Sequence, residues 1–207
     1  MMPAERIPLS SLLHPEHRAG FKELAEKIAG GAVFVYPTET IYGIGGRFDN
    51  PEVYRRIIAV KRRPSDQPMI LVTARRSALD QLDISFPPAA CRLTEDWWPG
   101  PLTLVLPSAA HPEGIAVRVS DHPFLAALAP FTDVPLFSTS ANISGAPYNP
   151  DPGFIYSFMK DHVDFMIDAG MLPAARPSTV VRVTRENVVT VVREGGIPVP
   201  ALQRYKL

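Results

Sequence analysis

One cysteine, Cys91, stands in a chain of 207 residues, which excludes an intrachain disulfide, and nothing around it resembles a zinc or redox motif. Histidine is sparse as well: His14, His17, His111, His122 and His162 are scattered. His14 and His17 are three apart, but no second ligand pair follows, so no protein-bound metal is expected. An excess of one charge is missing too, with 21 basic against 21 acidic residues. Nothing global then points to nucleic acid or a membrane, and any polyanion site must come from a local cluster. No apolar run nears membrane-spanning length, and the opening MMPAERIPLSSLL lacks the charged-then-apolar order of a targeting segment. The expectation is a soluble cytoplasmic protein without a membrane partner. A P-loop is excluded as well, because Gly-x-x-x-x-Gly-Lys-Ser/Thr does not occur.

What the chain does have is proline, 23 residues spread as punctuation between apolar segments rather than gathered into a linker. With no internal repeat and no boundary signal, residues 1–207 read as one domain, long enough for a sizeable core. Apolar positions at Phe21, Leu24, Ala25 and Ile28 mark a helix over 16–29 closed by Gly30 and Gly31. The continuous β-prone run 32–36 reads as a strand buried on both faces. Beyond it, Thr38, Glu39 and Thr40 sit at a strand end, where open α/β sheets bind ligands, although a plain tight turn explains these residues equally well. A glycine-rich link leads to a helix with Asn50 as N-cap, Pro51 at its first position and Val53, Tyr54, Ile57 and Ile58 as its apolar stripe. It ends in Lys61, Arg62, Arg63 and Pro64. Those cations complement a helix C-terminus, and Pro64 pushes Arg63 into extended geometry, which lets Lys61 and Arg63 turn toward one anion.

Strands follow at 69–73, 102–106, 115–119, 134–137 and 163–167, with helices at 77–82, 88–97 and 124–129, a helix containing Ile155, Phe158 and Met159, and a closing hairpin of 179–183 with 188–192. Trp97 and Trp98 read as core anchors. In Ile115–Val119, Arg118 lies on the face opposite its aliphatic neighbours; an arginine so placed either meets solvent, the commoner case, or lines a groove. The run Ser138 to Gly145 follows directly on a strand and offers short donors to phosphate or carboxylate oxygens, or is a solvated loop. Ser178 and Arg193 stand at the two ends of the hairpin and could lie near one site. Early strand–helix alternation and a late hairpin give an α/β fold, a twisted mixed sheet flanked by helices.

Seven blocks in order, YPTETIYGIG (36–45), KRRP with its following Pro68 (61–68), WPGPLTLVL (98–106), AVRVSDHP (116–123), STSANISG (138–145), PSTVV (177–181) and VVREGG (191–196), resemble the YrdC-like threonylcarbamoyl-AMP synthases in their single-domain form. Lys61 and Arg63 meet the Lys-x-Arg pattern of that family, and Ser140 and Asn142 its Ser-x-Asn. The resemblance implies a basic concave groove and a reaction of L-threonine, bicarbonate or CO2, and ATP to threonylcarbamoyl-adenylate and pyrophosphate. That is the first step of N6-threonylcarbamoyladenosine (t6A) synthesis on tRNA. It implies threonine contacts from Thr40, Arg118, Ser138 and Ser178, and ATP contacts from Lys61, Arg63, Gln67, Ser140, Asn142 and Arg193, with Lys61 and Arg63 catalytic.

Mg2+ would arrive with ATP, and the product would pass to tRNA threonylcarbamoyl-transfer proteins. Two positions depart: Gln67 stands where many relatives have Lys or Asn, and Val72 where some have a threonine-contacting histidine. Replacing Lys61 by Ala is expected to leave the fold intact and nearly abolish product. The alternative is a non-catalytic RNA-binding or accessory protein on the same fold, recognised by binding with steep salt dependence and no adenylate formed.

Overall fold

The computed structural model describes residues 3–62 and 69–205. Its strands are β1 (Glu5–Pro8), β2 (Phe34–Tyr36), β3 (Gly43–Arg47), β4 (Ile70–Thr73), β5 (Leu102–Leu106), β6 (Ile115–Val119), β7 (Leu136–Ser140), β8 (Phe165–Asp168), β9 (Thr179–Val183) and β10 (Val189–Arg193). The α-helices are α1 (Leu9–Leu12), α2 (Arg18–Ala29), α3 (Pro51–Lys61), α4 (Pro88–Trp97), α5 (Pro123–Leu128), α6 (Pro152–Met159) and α7 (Val199–Leu202). The strands form one mixed sheet in the order β1-β8-β2-β3-β7-β4-β6-β5-β9-β10.

Side chains alternate across a strand, so the register decides what each face carries. Val35, Ile44, Leu71, Leu104, Val117 and Val181 are buried in clusters completed by Val53 and Ile57 of α3, Leu93 of α4 and Ile155 and Met159 of α6. On the opposite face Phe34, Tyr36, Val72 and Leu136 pack under Leu24 and Ile28 of α2 and Phe124 and Leu128 of α5. These two helices cover only part of that face. The remainder, from β3 and β7 across β4 and β6 to β9 and β10, borders a cavity.

The link after Tyr42 is a strand, β3, where the composition indicated a connection. Glycine is depleted from strands in general, which hides this one. Here it is required: a Cβ on Gly45 would stand 1.8 Å from the Phe137 carbonyl oxygen and 3.1 Å from Cε1 of Tyr36. The strand expected at 134–137 lies at Leu136–Ser140, so Ser138, Thr139 and Ser140 belong to β7, paired with β3 on one side, and Ser138 also with β4 on the other. Short elements β1 and α7, four residues each, fell below what periodicity reveals. Trp97 and Trp98 do pack against the core, Trp98 donating its indole N–H to the Leu102 carbonyl at 2.7 Å.

Thr179 locks the hairpin to the chain that follows it. Its buried hydroxyl donates to the Ile197 carbonyl (2.7 Å) and accepts from the amides of Gly195 and Ile197 (2.9 Å each). A Cβ on Gly195 would lie 2.0 Å from the Pro177 carbonyl oxygen, so only glycine lets these segments touch. Thr179→Val, nearly isosteric, strands three buried backbone groups and is expected to cost about 2–3 kcal/mol, read from urea unfolding.

Candidate active site

Lys61 ends α3, and its burial follows from helical spacing: Val53, Ile57 and Lys61 recur at i, i+4 and i+8 on the buried face. Arg62, at φ 49°, then leaves the helix in the left-handed conformation. The turn away from the helix therefore begins one residue before the position at which Pro64 was expected to impose it. Only 2% of Lys61 is exposed. Its ammonium donates to the carbonyls of Ser140 and Asn142 (2.6 Å each), to Oδ1 of Asn142 (2.9 Å) and to Oγ of Ser140 (3.3 Å). Ser140 in turn donates to Asn142 Oδ1 at 2.5 Å, and the Ser144 amide to the Lys61 carbonyl at 3.1 Å. Lys61, Ser140 and Asn142, expected at one ligand, thus form a single knot between α3 and the end of β7. Arg63 and Gln67 lie outside the described residues.

Ser140 also borders a cavity of about 370 Å³ on the uncovered sheet face, together with Thr40, Arg118, Ser138, Ser178 and Arg193. A volume of this order is that of small-molecule sites. Two further hollows of about 390 and 450 Å³ adjoin it. The first shares Thr40 and Ile41 and is walled by Tyr148, Leu172 and Arg176; the second shares Val105, Glu113, Gly114 and Arg182.

Arg118 does not meet solvent, the commoner outcome for its position. It is 5% exposed, and Nη1 donates to Thr40 Oγ1 at 3.1 Å. The same Nη1 is 3.7 Å from Oε1 of Glu39, an ion pair too long for a hydrogen bond. Across the cavity Arg193 donates to the Ser178 carbonyl at 2.8 Å and approaches its hydroxyl at 3.4 Å, while Thr103 and Ser178 share a hydroxyl contact of 2.8 Å. Burial, and then the charge of Arg118, push the Arg193 pKa below the ordinary arginine value. Two guanidiniums thus raise each other's energy unless an anion comes between them. Arg182 lines the same wall, and Glu113 is the carboxylate among the lining residues.

Arg182, Thr103 and Ser120 escaped the sequence reading. For Arg182 a signal existed: TVVRV repeats the alternation of IAVRV, which turns Arg118 inward. Thr103 and Ser120 carry no such mark. Val72 pairs in register with Arg118 but is wholly buried in the core under α2 and α5. Among the described residues, no group of three or more His, Cys, Asp or Glu is arranged to hold a metal ion, and no helix is long and apolar enough to cross a membrane.

Residues 26–195 match the Sua5/YciO/YrdC family model, described as telomere recombination. The chain belongs to the Sua5/YciO/YrdC family. A threonylcarbamoyl-AMP synthase of Xanthomonas oryzae is 34% identical over 160 residues, 72% of this chain and 86% of that protein. The threonylcarbamoyl-AMP synthase of Bacillus subtilis is 33% identical over 174 residues, 80% of this chain but 50% of the relative, so the chain spans about half of that protein's length. Among solved structures, Pyrococcus abyssi Sua5 complexed with L-threonine superposes with a TM-score of 0.84 at 28% identity, over 98% of this chain and 60% of that one. The mixed sheet is therefore a Sua5/YciO/YrdC fold, and the cavity lies on the part of that sheet which α2 and α5 leave uncovered.

Proposed function

We propose that this protein is an L-threonylcarbamoyladenylate synthase acting in the cytoplasm as one YrdC-like domain, and that its cavity is the basic groove in which L-threonine, bicarbonate or CO2, and ATP react. One observation carries the reading: Thr40, Arg118, Ser138, Ser140, Ser178 and Arg193, far apart in the chain, border a single cavity. The similarity to threonylcarbamoyl-AMP synthases supports it.

In this reading the planar guanidinium of Arg118 takes the threonine carboxylate, with Thr40, Ser138 and Ser178 around the rest of the amino acid. Arg193, Ser140 and Asn142 face the nucleotide, joined by Arg63 and Gln67, while Lys61 adds its charge from beneath the Ser140–Asn142 turn. Magnesium enters as part of the MgATP substrate. The neutral threonine amine forms an N–C bond to CO2 and loses a proton. An oxygen of the resulting carbamate attacks the α-phosphorus, and the bond to the bridging oxygen breaks as pyrophosphate leaves. The approach of one anion to another is opposed by repulsion, so positioning and cationic screening supply the catalysis. The adenylate would then pass to tRNA threonylcarbamoyl-transfer proteins.

Incubation with MgATP, bicarbonate and each amino acid in turn, following pyrophosphate, tests the reading. Release that needs both threonine and bicarbonate is expected. Release with another amino acid alone would reassign the substrate. No release at all, with salt-sensitive RNA binding in its place, would mark the non-catalytic alternative.

A further inference from the structure

Behind the cavity wall lies a carboxylate that the proposed reaction does not use. Glu39 Oε2 accepts a very short hydrogen bond from the Ser120 hydroxyl, whose oxygen accepts in turn from the His122 amide at 3.2 Å. His122 begins α5 and is held there by its own ring, Nδ1 accepting from the Phe124 amide at 3.2 Å. Burial keeps that imidazole below its ordinary pKa, which leaves the nitrogen able to accept. Glu39 is thus tied to the start of a helix packed in the core. Its other oxygen, Oε1, is buried without a hydrogen-bond partner, as is Nε of Arg118. The two side chains face each other at 3.7 Å from Oε1 to Nη1.

The hydroxyls in front of Arg118 are oriented by elimination. Thr38 has one proton, and the Ile41 carbonyl at 2.7 Å can only accept it. In the 2.9 Å contact between Thr38 and Thr40 the donor is then Thr40, onto an oxygen that also accepts from the Thr40 and Ile41 amides at 3.2 Å each. The Thr40 proton is thereby used inside the turn, and one of its lone pairs is taken by Arg118 Nη1. Only an acceptor position remains on Thr40 for whatever occupies the cavity. A bound carboxylate would be repelled there, whereas an ammonium or hydroxyl would be accepted.

We propose that Glu39 is the positioning residue of the amino-acid subsite. Its carboxylate, anchored through Ser120, holds Arg118 by charge from behind, so that Nη1 stays on the Thr40 hydroxyl oxygen and the rest of the guanidinium turns to a ligand carboxylate. The subsite thereby has two ends of opposite demand. Arg118 selects the carboxylate of an α-amino acid, and Thr40 its ammonium or side-chain hydroxyl. Glu39 itself is absent from the residues bordering the cavity, so it acts through Arg118. The inference rests on the synthase reading for the identity of the amino acid, though not for the subsite's polarity.

Glu39→Gln keeps the shape, and its amide can still accept from Ser120, but the charge behind Arg118 is gone. In steady-state pyrophosphate release the KM for threonine is expected to rise about tenfold or more, with the KM for ATP unchanged, since displacing a positioned group by about 1 Å has effects of that size. Ser120→Ala, which removes only the anchor, should raise the threonine KM in the same direction by less. Unchanged threonine KM values in both variants overturn the proposal. Both substrates' KM values rising together alongside a fall in Tm would do so too, since that marks a merely structural role. Threonine affinity measured calorimetrically separates this from the wider reading. If the unaltered protein binds threonine but releases no pyrophosphate, the synthase reading fails while the Glu39→Gln loss of affinity still supports the subsite; if it binds neither threonine nor any other α-amino acid, both fail.

Discussion

Lys61→Ala is expected to lower threonine-dependent pyrophosphate release on the order of 10²–10³-fold, the size seen when one charge-stabilising donor is removed. The fold should not remain untouched, as the sequence alone led one to expect. The ammonium sits at 2% exposure among four oxygens, so its loss takes the ammonium donor from the Asn142 carbonyl and leaves the Ser140 carbonyl only the Asn142 amide at 2.8 Å. Hydrogen bonds to a charged group each contribute about 1.5–3 kcal/mol, and partial relaxation toward water makes about 3 kcal/mol a reasonable total. For a chain of this size that is a fall of about 6–12 °C in Tm. Lys61→Met separates the two effects, because it restores the buried stem but not the charge. Wild-type turnover in that variant would remove the lysine's charge from the chemistry.

That knot illustrates what the sequence conceals and what it exposes. The i, i+4, i+8 spacing of Val53, Ile57 and Lys61 was readable, yet a lysine at a helix end is ordinarily a solvated complement to the dipole. The burial arises from β7 and the turn after it, which meet Lys61 from about 80 residues away, at separations of 79 and 81. Helix α3 itself was plain because its determinants are local: the Asn50 cap, Pro51 and the apolar stripe. Strand β3 was not. Its glycines answer to Tyr36 and to the Phe137 carbonyl, and a requirement for close approach leaves no mark on local propensity.

The same distinction runs through the site. Alternation in Ile115–Val119 turned Arg118 away from the aliphatic residues, but whether that face met water depended on β4, β5 and β9 closing round it. The Glu39–Ser120 contact joins residues 81 apart and has no counterpart in any periodic pattern. Conversely, the hydroxyl-rich ends of β2 and β7 were visible as composition. Packing then brought them to one cavity, because Gly43 pairs with both Tyr36 and Ser140 in the sheet register.

Arg118→Met should be the most damaging single change at the cavity, for reasons of stability before catalysis. It removes the cation facing Glu39, whose Oε1 already has no hydrogen-bond partner, and so leaves a largely buried carboxylate without its counter-charge, held by the Ser120 hydroxyl. Breaking a buried pair from one side costs about 3–5 kcal/mol, a large share of the ~5–15 kcal/mol that keeps a domain folded. Chemical denaturation should therefore show an early midpoint, and threonine binding should be lost. Adding Glu39→Gln to Arg118→Met removes the stranded charge, so part of the stability should return. Effects of residues in contact are not additive, and a double variant more stable than Arg118→Met alone would measure that coupling directly. Threonine binding should stay absent in the double variant, because the carboxylate's partner is still missing. Simple addition of the two stability losses would mean that Glu39 and Arg118 do not act on each other, and the electrostatic account of the site would fall with that result.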